Sequence, residues 1–171
     1  MNVISIRKVS QNDGEKEREF LLSFPEEENG FERPGKGFDL NSYDGFAKFV
    51  MAKLCEAKGM NLKDGYVPQT TFWILLDGRL AGVGKVRHYL NDNLRKHGGH
   101  IGLTIAPEFR GKGIGTDALK LLVEYAHSLG QDKILLTNNK DNWASRRAVE
   151  KNGGVLEKVD GDSSFYWIEK K

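Results

Sequence analysis

The chain has 171 residues, of which 39% are hydrophobic and 29% charged, with 26 Lys+Arg against 24 Asp+Glu for a formal charge of +2. That size and balance predict one globular domain over residues 1–171, and the small net charge gives no electrostatic case for a nucleic-acid partner. A lone cysteine, Cys55, excludes an internal disulfide. The first residues lack an apolar signal core, and no apolar run approaches the roughly 18 residues of a membrane span, so a cytoplasmic protein with no membrane partner is expected.

Taken in order, Val3–Lys8 alternates like a strand, and the charged stretch Glu15–Phe24 suits a short helix. Residues 25–41, with Pro25, Pro34 and several glycines, read as an irregular loop. Asn41 or Ser42 is placed to cap a helix whose apolar face carries Phe46, Phe49, Val50, Leu54 and Ala57, closed by Gly59. Thr70–Leu76, the turn dipeptide Asp77-Gly78 and Arg79–His88 make a hairpin. A helical turn at Asn91–Lys96 precedes a strand, His100–Ile105. Ile114, Ala118, Leu121, Leu122, Tyr125, Ala126 and Leu129 then recur at helical spacing up to Gly130. Lys133–Thr137 reads as a short buried strand, Asp141–Asn152 as a helix, and Val155–Val159 with Phe165–Ile168 as a final strand pair. The fold class is mixed α/β: a mixed, mostly antiparallel sheet with helices on both faces and one β-α-β crossover.

The segment between the strand ending near Ile105 and the long helix carries the chemistry. In Pro107-Glu108-Phe109-Arg110-Gly111-Lys112-Gly113-Ile114-Gly115-Thr116, three alternating glycines let the backbone bring N–H groups close to a ligand. The free donors of a helix start favour phosphate oxygens, and Arg110, Lys112 and Thr116 are placed to add contacts. A Walker sequence is absent. The Gly113–Ala118 match to a dinucleotide fingerprint fails because the next strand ends Leu136-Thr137-Asn138, with no acidic residue for a ribose.

Arg110, Gly113 and Gly115 instead satisfy Arg/Gln-x-x-Gly-x-Gly/Ala, and the segment resembles the coenzyme A signature of the GNAT acetyltransferase superfamily. Asn142-Trp143-Ala144-Ser145 followed by Glu150-Lys151-Asn152-Gly153-Gly154 resembles that family's second signature, with features of the ribosomal-protein alanine acetyltransferase subgroup. The resemblance covers residues 100–154 in detail. It implies a GNAT fold whose sheet splays at the strands His100–Ile105 and Lys133–Thr137, with acetyl-CoA as co-substrate and no metal. It also implies an acetyl transfer by direct attack of a primary amine, from a small molecule, peptide or protein. By the same resemblance, Thr104, Ile105 and Ala106 line the splayed strand, and Arg110, Gly111, Lys112, Gly113, Ile114, Gly115 and Thr116 hold the phosphates. Asn138, Asn142 and Ser145 then meet the pantetheine arm or thiol. Asn142 fits a helix N-cap equally well.

The sequence departs from the family pattern at two positions. Val149 stands where many members have a Tyr that protonates the leaving thiolate, and Gly154 stands where they usually have Phe. Ser145 is the substitute donor to the thiolate that the subgroup resemblance implies; an ordinary helix residue is the alternative. A base must also deprotonate the amine. His100, on the strand face of Thr104, is one candidate, with Tyr66, Tyr166 and Glu108 as rivals; Tyr166 also follows Ser145 as a catalytic candidate. His97 and His100 lack the companions of a metal site. The acidic run Glu26-Glu27-Glu28, with Glu32, suits either a solvated surface or attraction of a cationic amine. A catalytically weak acyl-CoA-binding module is the second functional reading, motivated by Val149; a monomer or a homodimer fits equally.

Overall fold

A computed structural model describes residues 1–28 and 31–171. In chain order the elements are β1 (Ile4–Lys8), α1 (Glu15–Leu22), the two-residue strands β2 (Glu27–Glu28) and β3 (Phe31–Glu32), α2 (Tyr43–Ala57), β4 (Gln69–Leu76) and β5 (Arg79–Arg87). They continue with α3 (Asp92–Lys96), β6 (Ile101–Ile105), a 3-10 turn at Pro107–Phe109, α4 (Ile114–Ser128), β7 (Lys133–Asn139), α5 (Trp143–Lys151), β8 (Val155–Asp160) and β9 (Ser163–Glu169).

The local signals act as physics requires. Ser42, not Asn41, caps α2: its Oγ accepts from the Gly45 N–H at 3.0 Å. Asp77 and Gly78 take φ of 49° and 77°, the two successive left-handed residues that a tight hairpin turn needs between β4 and β5. The β2–β3 ladder lies inside the stretch expected as loop, since two-residue strands leave no periodicity to read.

Two antiparallel sheets form, ordered β1-β4-β5-β6 and β7-β9-β8. The splay expected between the strands flanking the long helix is therefore wide enough to separate the halves: among the described residues no ladder joins β6 to β7. One face of the first sheet packs on α1 and α2, where buried Trp73 meets Phe20 and Phe49 at ring distances of 6.4 and 6.5 Å. The other face packs on α4, with Phe72 edge-on to Tyr125 at 4.8 Å. Leu119, Leu122, Val123 and Ala126 of α4 share a core with Val86 and Ile101 of the first sheet and Ile134, Leu136, Tyr166 and Ile168 of the second. Each large buried side chain contributes about 1.5–3 kcal/mol. The apolar stripe of α4, more than strand pairing, holds the two halves together.

Candidate active site

The Gly-rich turn leads from β6 into α4. Gly113 caps the helix with φ 79° and ψ −5°, and Gly111 has φ 74°. No heavy atom comes within 4 Å of where a Cβ would stand on either residue. Thr116 and Asp117 send their N–H groups to the Gly113 carbonyl at 3.0 and 3.2 Å, while the amides of residues 111–115 have no backbone acceptor among the described residues. An open backbone with several free donors at the positive end of a 15-residue helix is a cradle for an anion.

The cations of this turn are placed less simply than its sequence suggests. Arg110 Nε donates to the Ile105 carbonyl at 2.9 Å, and its two terminal nitrogens form a fork on Glu28 at 2.6 and 2.8 Å. This pairing raises the Arg110 pKa and lowers that of Glu28. The Lys112 ammonium donates back to the Glu108 carbonyl at 3.1 Å. Arg110 therefore ties β2 to the turn, a contact between residues 82 apart that no local pattern announces. Of the acidic run, Glu28 is this partner, and Glu32 pairs with Lys36.

Beside the turn lies the opening between β6 and β7. It is closed at one end: the His100 N–H donates to the Leu135 carbonyl at 2.8 Å, and the Leu135 N–H donates to His100 Nδ1 at 2.9 Å. The Gly98 N–H reaches Thr137 Oγ1 at 3.0 Å nearby. At the turn end, the Ala106 N–H is committed to the Ala81 carbonyl of the first sheet at 2.9 Å. Thr104 and Ile105 lie on the strand that borders the opening, and across it stands Asn138 at the end of β7. Asn138 Nδ2 donates to Ser145 Oγ, whereas its Oδ1 is buried without a partner among the described residues. Asn142 does cap α5: its Oδ1 accepts from the Ser145 N–H at 3.2 Å. Val149 is 1% exposed in the core beneath α5, and a Cβ on Gly154 would come within 2.4 Å of its Cγ1, so the two departures from the family pattern are packed against each other.

The base candidates are spread apart. His100 is 2% exposed, and burial holds its pKa below the ordinary imidazole value. With Nδ1 accepting from Leu135, the ring has no free lone pair for a substrate proton. Tyr166 is fully buried; its hydroxyl accepts from Arg146 Nε and donates to Glu150 Oε1, both at 2.8 Å, and burial raises its pKa. Tyr66 is 55% exposed, and Glu108 lies exposed in the 3-10 turn. A residue not singled out in the sequence lies on the strand next to β6. Lys85 of β5 pairs with Gly102 of β6, and its Cγ–Cε stem occupies the space over that glycine. Among the described residues no cluster of three or more His, Cys, Asp or Glu is arranged to hold a metal, and no helix is long and apolar enough to cross a membrane.

A crossover helix whose first turn offers free amides beside two unpaired strand edges fits an acyl-CoA-dependent transferase. The family description "Acetyltransferase (GNAT) domain" matches residues 43–155, and the chain belongs to that family, whose members are N-acetyltransferases using acetyl-CoA. No curated protein sequence matches. Among solved structures, a probable acetyltransferase is similar at 24% identity, covering 98% of this chain and 93% of its own, with a TM-score of 0.67. RimJ of Mycobacterium smegmatis, in complex with CoA-disulfide, is similar at 22% identity over 97% and 81%, with a TM-score of 0.72. The Campylobacter jejuni N-acetyltransferase PseH in complex with acetyl coenzyme A is similar at 14% over 99% and 100%, with a TM-score of 0.63. At these identities the likeness concerns the fold.

Proposed function

We propose that this protein transfers an acetyl group from acetyl-CoA to a primary amine by direct attack, within a single domain spanning residues 1–171. The observation that carries the reading is the open cradle at Gly111–Gly115 set beside two strand edges that end apart. The chemistry of acetyl-CoA fits these groups: the free amides of residues 111–115 suit its phosphates, the edges of β6 and β7 suit the amides of the pantetheine arm, and the unpartnered Asn138 Oδ1 suits an N–H donor. When bound, acetyl-CoA supplies an activated acyl carbon and a thiolate leaving group.

The chain's own residues orient that chemistry. Ile105 on β6 has its N–H on the side away from β5, which suits an oxyanion donor; Thr104, in a hydrogen-bonded pair with Val83, and Ala106, bonded to Ala81, do not. Ser145 Oγ accepts from Asn138, leaving its own proton to be donated to the departing sulfur. Asn142 sets the first turn of α5 and so the position of Ser145. Arg110 would meet the phosphates only by sharing or leaving Glu28, so its first role is to fix the turn.

The acceptor is an amine of a small molecule, a peptide or a protein, and because one similar structure is RimL, a ribosomal L7/L12 alpha-N-protein acetyltransferase, N-terminal peptides are the first choice to test. Release of free thiol from acetyl-CoA is measured against a panel of N-terminal peptides, free lysine, spermidine and amino sugars. Turnover of at least one amine is expected. Tight CoA binding with no turnover on any amine would favour the acyl-CoA-binding module instead, the reading that the loss of Tyr at position 149 motivates.

A further inference from the structure

Direct transfer to an ammonium needs a proton acceptor, and two of the candidates read from the sequence, His100 and Tyr166, do not offer a free one. His100 has spent its lone pair on Leu135, and Tyr166 is locked between Arg146 and Glu150 under α5. Lys85 is placed differently. It starts on β5, next to the border strand, on the sheet face shared by His100, Gly102 and Thr104. A Cβ at position 102 would lie 2.8 Å from Lys85 Cε and 3.1 Å from Cγ, so the side chain lies across β6 in the space the glycine leaves. The stem thus crosses onto β6, the strand whose other edge borders the opening. No hydrogen bond or ion pair holds it among the described residues.

We propose that Lys85 is the general base that takes the proton from the acceptor's ammonium group. The assignment rests on the acetyltransferase reading above. Neutral Lys85 Nζ accepts one proton from the ammonium; the amine nitrogen then bonds to the acyl carbon as the carbon–sulfur bond breaks. The nitrogen's second proton ends on the sulfur, by way of Ser145 or water, and Lys85 returns its own to solvent. Amide, thiol and one released proton balance the reaction.

The surroundings favour a neutral amine at working pH. Burial is the largest influence, and Arg87 on β5 and Lys53 on α2 act in the same direction, opposed by Glu56 on α2; together they push the Lys85 pKa down to about 8. The other groups facing it are uncharged: Gln69 and Thr71 on β4, Gly102 and Thr104 on β6. Glu56 is itself taken by Lys53 at 3.1 Å and by Gln69 at 2.9 Å, and Arg87 by the Gly98 and Gly99 carbonyls at 3.1 and 2.9 Å. A base near the operating pH combines a useful neutral fraction with adequate proton affinity.

Two measurements test this. In protein whose lysines carry ¹³C-methyl groups, the resonance missing from Lys85→Met should titrate near pH 8, while the exposed lysines titrate above about 10; titration of Lys85 with the others overturns the proposal. With the amine selected from the panel, Lys85→Met and Lys85→Arg should both lose roughly 10²–10³-fold in kcat and lose the rise of kcat/KM near pH 8. Gly102→Ala, which displaces the intact lysine, should do the same, and each variant should keep the thermal shift given by CoA. Full kcat in Lys85→Arg with only KM raised in Lys85→Met would mean that Lys85 binds an anionic part of the acceptor, and the base role would fall. If no amine turns over although CoA binds, the acetyltransferase reading fails and the base role goes with it.

Discussion

Ser145 and His100 both lie within hydrogen-bonding reach of β7, yet their geometries give them opposite functions. Ser145 receives a bond from Asn138 and retains a proton to give, so its contribution grows as charge appears on sulfur. Ser145→Ala should therefore lower kcat by up to ~10²–10³-fold while CoA binding is nearly unchanged; equal rates, with chemistry shown to limit turnover, would clear it of a role. His100 instead receives a bond from the Leu135 amide through the lone pair that protonation would remove. Burial lowers its pKa in the folded state, so the neutral ring contributes stability that is present above its unfolded value of about 6.5 and lost as pH falls through the lower folded one. The melting temperature should drop as pH falls below about 6.5, and His100→Asn, whose carbonyl oxygen can accept the same bond without titrating, should flatten that drop. A wild-type profile as flat as the variant's would remove the tie from the acid response. Strand alternation puts His100 on the right face but cannot name its partner, because the bond spans 35 residues. Lys85 was hidden for a related reason: only the pairing of β5 with β6 puts it above Gly102.

At the scale of elements, most of the architecture follows from local chemistry. Alternation marked the strands, Ser42 and Asp77-Gly78 supplied a cap and a turn, and the glycine spacing before Ile114 marked the helix start. The cradle was legible for the same reason, since its donors belong to consecutive residues. Two things were not: the β2–β3 ladder, too short for a pattern, and the fork from Arg110 to Glu28, which depends on where that ladder docks. The cradle's test is Gly113→Val. The site has room for the side chain, but at φ 79° a non-glycine residue costs roughly 1–2 kcal/mol, and the branched group stands where phosphate approaches. A chain of this size loses about 2–4 °C per kcal/mol, so the variant should fold with a modestly lower melting temperature and no longer respond to CoA. A thermal shift equal to wild type would move the phosphates elsewhere.

For the whole molecule, the consequence of two separate sheets is that a ligand in the opening completes a structure the chain leaves unpaired. Direct ties between β6 and β7 number few among the described residues, concentrated at His100–Leu135 with Gly98–Thr137 beside it, and the common core under α4 supplies the rest. Amides on the facing edges then exchange with solvent through small local openings, whereas those between β4 and β5 need far more of the fold to open. CoA at about 100 times its dissociation constant adds ~2.7 kcal/mol to the folded state, a factor of roughly 10². If the pantetheine arm pairs with the strand edges, protection should rise in peptides covering 101–105 and 133–139 together with 111–116, and not in the surface turn around residues 60–65. If the phosphates alone are held, only 111–116 should change and the two strands should keep their free-state rates. Protection of 111–116 without the strands would leave the cradle intact but take the acyl group out of the opening, and with it the roles given to Ser145 and Lys85.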